Sequence, residues 1–362
     1  MSIKENTSPS LSVFQGDAEA TPADSPRILV SRLSAIGDAI LTMPVVCCIR
    51  DAFPNAFIGW AVESKVVPVV QHHRALDTVI ELRPGWYRSP TSLAETRKHL
   101  RDLRFDLTID CQGTLRSSLA CYLSGASRRI GFHGKHLWDL GGVLNNEKVS
   151  PVFHHQTDRA LELLTPLGIH HPKVKWELPI EKSDLKWASD FRSKIKSPRV
   201  AILNPGGAWA SNLWEPDRFA STARYLADRY GYHSLVVWGT FNERLMAERI
   251  VELSEGTVSL APDTSLKTLA ALIKTADLFI SGDTGPLHMS VAVGTKTIGL
   301  YGATRPGDSG PYGQVALQLQ YESGSRRHRR AADNRAMRAI GVEHVCAVVD
   351  EMHAKKRVAR AA

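Results

Sequence analysis

Two segments of this sequence put polar, chargeable side chains where an α/β chain can act on phosphate and hydroxyl groups. In Phe279-Ile280-Ser281-Gly282-Asp283-Thr284-Gly285-Pro286-Leu287-His288 a buried strand is predicted to end in a small polar turn that launches a helix. The free N–H groups at such a helix start bind phosphate well. His288 stands one turn in, able to donate to a diphosphate oxygen, and Asp283 could cap the helix or orient that histidine. A capped helix with a packed histidine accounts for the same residues equally well. The other segment, Ser31-Arg32-Leu33-Ser34-Ala35-Ile36-Gly37-Asp38, follows a short apolar strand. Gly37 permits a tight turn and Asp38 opens a helix. The helix dipole alone favours an acid there; the functional alternative is a carboxylate base that takes a proton from an acceptor hydroxyl.

Weaker signals lie between these two. Asn204-Pro205-Gly206-Gly207-Ala208 is a glycine turn after a strand, where the backbone can approach a ligand closely, or simply a loop. Glu243 falls in the first turn of a helix after Trp238-Gly239-Thr240, placed to accept hydrogen bonds from ribose hydroxyls or merely to complement the dipole. The adjacent pairs His72-His73, His154-His155 and His170-His171 point in different directions on any regular element and share no face for a metal, so surface or loop histidines are expected. No H-E-x-x-H, G-x-S-x-G or Walker-type lysine loop occurs, which weakens metalloprotease, serine hydrolase and NTPase readings.

Strands and helices must alternate to hold these segments. Apolar runs at residues 27–31, 57–62, 78–82, 107–110 and 129–132 read as strands, with helices at 92–103 and 115–123 and an apolar helical stretch ending at Phe53 that Pro44 must start or bend. A second series has strands at 200–203, 235–238, 257–260, 278–281 and 297–301, and helices at 217–230, 242–254, 265–275 and 285–293. Alternation implies parallel sheets, so the fold class is α/β with two Rossmann-like units and the ligand at the C-terminal strand ends, in the cleft between them. Residues 1–26 read as a disordered leader, 27–190 and 191–345 as the two domains with a link around 181–198, and 346–362 as a basic tail.

Composition sets the bounds. At 362 residues, 43% hydrophobic and 23% charged, the chain has the make-up of an ordinary globular protein. No apolar run approaches the roughly 20 residues of a membrane span and the N-terminus is polar and acidic, so a cytoplasmic location is expected. Five cysteines without a C-x-x-C pair read as buried reduced thiols. The net charge of +8 favours anionic partners. The basic clusters at 326–330 and 355–360 lack interleaved aromatic residues that would stack on bases, so a solvated basic surface is expected rather than a nucleic-acid site.

Taken in order, these segments resemble glycosyltransferase family 9, the ADP-heptose lipopolysaccharide heptosyltransferases. The resemblance runs from about residue 27 to 313, and more loosely to 349. It is carried by Arg32-Leu33-Ser34-Ala35-Ile36-Gly37-Asp38 with Pro44, Asp110-Cys111-Gln112-Gly113 with Arg116, His155-Gln156-Thr157-Asp158-Arg159 with Leu163-Leu164, Asn204-Pro205-Gly206 with Trp214, Thr264-Ser265-Leu266, Asp283-Thr284-Gly285 with His288, and Tyr301-Gly302-Ala303-Thr304. It implies a GT-B fold of two facing Rossmann-like domains, with an acceptor half first and a nucleotide-sugar half second. It also implies an inverting, metal-independent transfer that uses no cofactor.

By motif position Asp38 is similar to the family's catalytic base, Asp283, Thr284, Gly285 and His288 to its diphosphate turn, and Glu243 to its ribose-binding acid. Gly206, Gly207, Ala208 and Asn212 fall among donor contacts, and Gln112 and Arg116 are the acceptor-binding candidates. The implied donor is an ADP-sugar, ADP-heptose above all, and the implied acceptor an anionic glycolipid of the lipopolysaccharide core. The basic surface would suit peripheral contact at the inner membrane. Where the family commonly has Lys-Arg-Trp or Lys-His-Trp, this chain has Asn212-Leu213-Trp214, and arginines replace the cysteines of relatives across 321–338. A neutral Asn212 leaves two outcomes: another base such as Arg305 supplies the missing charge, or transfer is impaired in a nucleotide-sugar-binding protein; separately, the reaction could be another of the GT-B class, such as sugar-nucleotide epimerisation.

Overall fold

The computed structural model describes residues 13–15, 25–134 and 140–361. The chain divides into two compact units, Met1–Pro179 and Ile180–Ala362. Strand β2 (Arg27–Ser31) is the central strand of the first unit. Its Ile28, Leu29 and Val30 are buried because helices cover both faces of a parallel sheet, which removes the need for polar alternation. Around it lie β3 (Phe57–Glu63), β4 (Thr78–Leu82), β5 (Leu107–Asp110), β6 (Arg128–Phe132) and β7 (Glu147–Val149), with β1 (Val13–Gln15) on the edge. The order is β1-β4-β3-β2-β5-β6-β7; only β1 runs antiparallel, against β4. The helices are α1 (Ile36–Ala52), α2 (Val67–Val70), α3 (Pro90–Asp102), α4 (Leu115–Leu123) and α5 (Gln156–Glu162).

The second unit repeats the plan. Strands β8 (Arg199–Asn204), β9 (Tyr232–Val236), β10 (Val258–Leu260), β11 (Leu278–Gly282), β12 (Thr297–Leu300) and β13 (Val315–Leu317) form an all-parallel sheet in the order β10-β9-β8-β11-β12-β13. Its helices are α6 (Lys182–Ser193), α7 (Pro216–Tyr230), α8 (Phe241–Leu253), α9 (Leu266–Lys274), α10 (Gly285–Ala292), α11 (Pro306–Ser309), α12 (Arg326–Ala331), α13 (Arg335–Arg338) and α14 (Val342–Ala361). Local chemistry sets the bounds of α7: Pro216 fits the first turn, where no N–H is needed, and Gly231 takes φ +67° to end it. With β1 set aside, both sheets have the doubly wound strand order, in which the chain reverses direction across the sheet beside its first strand. Ligands bind at that switch point, beyond the C-terminal strand ends. In the first unit it lies between β2 and β5, with Ser31 opposite Asp110; in the second it lies between β8 and β11, with Asn204 opposite Ser281.

Several boundaries differ from the sequence reading. The stretch expected to link the domains contains α6, which belongs to the second unit: Lys267 and Thr268 of α9 bond Glu181 and Asp184, while Trp187 and Phe191 stack at 5.5 Å one turn apart. The expected leader contributes the edge strand β1. The expected tail is the helix α14, whose Val345 and Val349 are buried in the second core with Trp214, Phe219 and Leu226. Lysines and arginines further along mask that apolar stripe in the composition. Pro44 lies inside α1 rather than starting it, giving up one backbone hydrogen bond. All five cysteines are free and buried. His73, expected on the surface, is 1% exposed, bonding the Trp176 carbonyl and accepting the Ala75 N–H.

Candidate active site

Beyond the first switch point the loops after β2 and β5 are tied together. The Arg32 guanidinium, 5% exposed, donates to the Cys111 carbonyl at 2.7 Å, and Gln112 Oε1 accepts the Leu33 N–H at 2.7 Å. Asp110, fully buried at the end of β5, shapes the turn by accepting the N–H groups of Gln112 and Gly113; burial pushes its carboxyl up. This frame aims Arg32 at Asp38, with 2.8 Å between guanidinium and Oδ2. Asp38 is the third residue of α1, where its Oδ2 also accepts the Ala35 N–H and Oδ1 accepts Gln156 Nε2 at 3.1 Å. Thr157 Oγ1 donates to the Leu41 carbonyl and so fastens α5, the source of Gln156, to α1.

The side chain of Asp38 is 37% exposed while Arg32 is 6% exposed, so the cation is hidden and the carboxylate is reachable. Burial acts to raise the Asp38 carboxyl, but Arg32 and the hydrogen bonds from Ala35 and Gln156 outweigh it and hold the group below its ordinary value. What results is an ionised, positioned and accessible carboxylate, the state a base for a hydroxyl must have. Gln112 serves this frame directly. Arg116 stands apart from it, ion-paired with Glu63 and beside the Tyr87 ring.

At the second switch point Asn204 Nδ2 donates to Ser281 Oγ at 2.8 Å and Thr284 Oγ1 at 3.1 Å, joining the ends of β8 and β11. Thr284 caps α10 by accepting the Leu287 N–H, so the cap residue is itself tied to Asn204 at the end of β8. Asp283 Oδ1 lies 3.4 Å from Nε2 of His288, and its Oδ2 accepts Ser309 Oγ at 3.4 Å. His288 is 5% exposed and its Nδ1 is buried with no partner among the described residues. A buried ring nitrogen left open is costly unless a ligand supplies the missing partner.

Gly206 and Glu243 are in direct contact: a β-carbon on Gly206 would collide with the Glu243 carboxylate, whose Oε2 accepts the Gly239 N–H at 2.9 Å. Gly207 faces Leu213, and Ala208 is exposed on the same loop. Asn212, in a 3-10 turn over Ala210–Asn212, is 6% exposed; its carbonyl presses on Gly282 and its Oδ1 has no partner among the described residues. The donor-site candidates therefore gather at one strand-end edge, Gly206 with Glu243, Asn212 with Gly282, and Asp283 with His288. Arg32, Gln156, Asn204 and Ser309 were given no role from sequence. Arg32 follows a strand directly, but nothing in the residue string marks an arginine as buried against an acid. No group of three metal-ligating side chains occurs among the described residues, and none of their helices is long and apolar enough to cross a membrane.

Two doubly wound halves, each with polar side chains gathered at its switch point, define an α/β protein of the GT-B class. The comparisons with known proteins agree. Residues 93–336 match the model of glycosyltransferase family 9 (heptosyltransferase), so the chain belongs to that family and is a glycosyltransferase. The lipopolysaccharide core heptosyltransferase OpsX of Haemophilus influenzae is 26% identical over 81% of this chain and 84% of its own length. Among solved structures, a family 9 glycosyl transferase from Veillonella parvula aligns with a TM-score of 0.75 at 22% identity, over 91% of this chain and 97% of its own. The E. coli heptosyltransferase WaaC solved with ADP aligns with a TM-score of 0.71 at 22% identity, over 91% and 98%.

Proposed function

We propose that the chain transfers heptose, or a related sugar, from an ADP-sugar to an anionic acceptor of the lipopolysaccharide core, with inversion and without a metal. The first unit holds the acceptor and the second the donor. The observation that carries this reading is Asp38, an accessible carboxylate kept ionised by a buried arginine. Asp38 takes the proton of the attacking hydroxyl. The start of α10 and His288 stabilise the charge that grows on the departing nucleoside diphosphate, which preorganised donors can do at low reorganisation cost. Glu243 accepts from the ribose hydroxyls, with Gly206 giving its carboxylate room. The relatives' names supply the sugar and the acceptor class, since OpsX is a lipopolysaccharide core heptosyltransferase and WaaC was solved with ADP. The net charge of +8 supports peripheral contact with an anionic membrane on the cytoplasmic side.

The test is a product assay with ADP-heptose and a core acceptor, run with and without EDTA and beside calorimetry with ADP. Asp38→Ala should lower turnover by about 10²–10⁴-fold and leave the affinity for ADP unchanged. EDTA should have no effect. Undiminished turnover in Asp38→Ala would end the assignment of the base. Free sugar released without any acceptor would instead indicate epimerisation.

A further inference from the structure

We infer that Arg305, seated on Tyr321 and backed by Arg329, is a cation of the donor-phosphate site; this rests on the reading that the second unit holds a nucleoside diphosphate. A diphosphate arriving at the end of β11 meets two acids, Asp283 and Glu243, and a neutral Asn212. Dipoles at the start of α10 help, but two phosphates in an edge furnished with carboxylates call for a formal positive charge.

The chain after β12 delivers one. Tyr301 donates its hydroxyl to the Ser309 carbonyl at 2.9 Å, and Ser309 Oγ reaches Asp283 Oδ2 at 3.4 Å, which sets α11 directly beside the phosphate turn. Arg305 is the residue that opens α11, one turn before Ser309, whose N–H it accepts on its carbonyl at 3.3 Å. The Arg305 guanidinium lies 4.6 Å from the centre of the Tyr321 ring, and Arg329 flanks that ring at 5.9 Å. Arg329 donates to the Ala303 carbonyl at 2.8 Å and has a buried Nε with no partner among the described residues; Gln318 fixes the Thr304 carbonyl at 2.7 Å. Among the described residues neither guanidinium has a carboxylate partner. An exposed arginine held over an aromatic ring, on a segment pinned at both ends, keeps its fork of donors free at small entropic cost.

Calorimetry on the full chain with ADP, AMP and adenosine tests this. Arg305→Gln should weaken ADP at least tenfold, weaken AMP less and leave adenosine unchanged. Arg305→Lys should recover part of the loss, and Arg329→Gln should cost less than Arg305→Gln. If the wild type binds ADP and Arg305→Gln binds it equally well, Arg305 has no such role, although the donor reading stands. Equal losses for ADP and adenosine would make the residue merely structural and overturn the inference. A wild type that binds neither ADP nor ADP-heptose removes the donor reading itself, and the inference falls with it.

Discussion

Arg32 decides how Asp38 behaves, and the two can be separated by pH. Asp38 sits in surroundings where burial acts to raise its carboxyl, and Arg32 is the strongest of the influences that lower it. The free carboxyl of an aspartate titrates near about 3.9, so the acid limb of kcat/KM, which reports the base in the free enzyme, should fall below that in the wild type. Arg32→Gln removes the opposing charge and should move the limb to higher pH, while Arg32→Lys should leave it nearer the wild-type position. A pH–rate profile of the three proteins checks this, and an unmoved limb in Arg32→Gln would mean that the group titrating there is not Asp38. The same shift has a stability consequence of fixed sign. A carboxyl depressed in the folded state stabilises the protein above its unfolded value and loses that contribution as the pH falls through the folded one. Denaturant midpoints measured from about pH 5 downward should therefore fall less steeply with pH in Arg32→Gln.

At the level of the elements, two glycines separate what the strand-end loops do for the ligand from what they do for the fold. A β-carbon on Gly206 runs into the carboxylate of Glu243, the far end of a flexible side chain that can swing away. Gly206→Ala should thus fold with a stability change under about 1 kcal/mol but weaken nucleotide binding by displacing Glu243. The loss should not add to that of Glu243→Ala, because both act on one contact. A β-carbon on Gly282 lies 2.8 Å from the Asn212 carbonyl, a backbone atom held in its 3-10 turn. Gly282→Ala should destabilise by about 1–3 kcal/mol, read from urea midpoints. Neither contact can be read from the sequence, where Gly206 and Glu243 are only a loop glycine and a first-turn acid. Strands were legible because parallel strands buried on both faces read as continuous apolar runs, as in Ile28-Leu29-Val30. Helix α6 was not, because Ala188 is its one buried residue and the charges around it look like a linker. The motif residues Asp38, Asp283 and His288 stood out by following strands, whereas the aim of Arg32, fixed by Cys111 79 residues further on, and the contact of Gln156, 118 residues beyond Asp38 at the start of α5, depend on tertiary packing.

For the whole molecule, the decisive feature is that each unit has its own core. Leu29, Ile80, Trp86 and Phe105 pack in the first, and Trp214, Phe219, Ile280 and Val349 in the second. Separate cores let each unit open with its own free energy, and a ligand that binds one folded unit stabilises that unit by mass action. ADP at 100 times its Kd should add about 2.7 kcal/mol, slowing exchange of the most protected amides in Ile180–Ala362 by about 100-fold. The amides of β2 and β5 should exchange as before. Hydrogen exchange read by mass spectrometry, with and without ADP, resolves the two units by peptide. Protection that rose equally in both would show the nucleotide bound or transmitted across the whole chain, and protection in the first unit alone would place the donor on the Asp38 half. The confined pattern is expected because the contacts that would grip a diphosphate, from Asn204 through Thr284 and His288 to Ser309, all belong to one sheet and its loops.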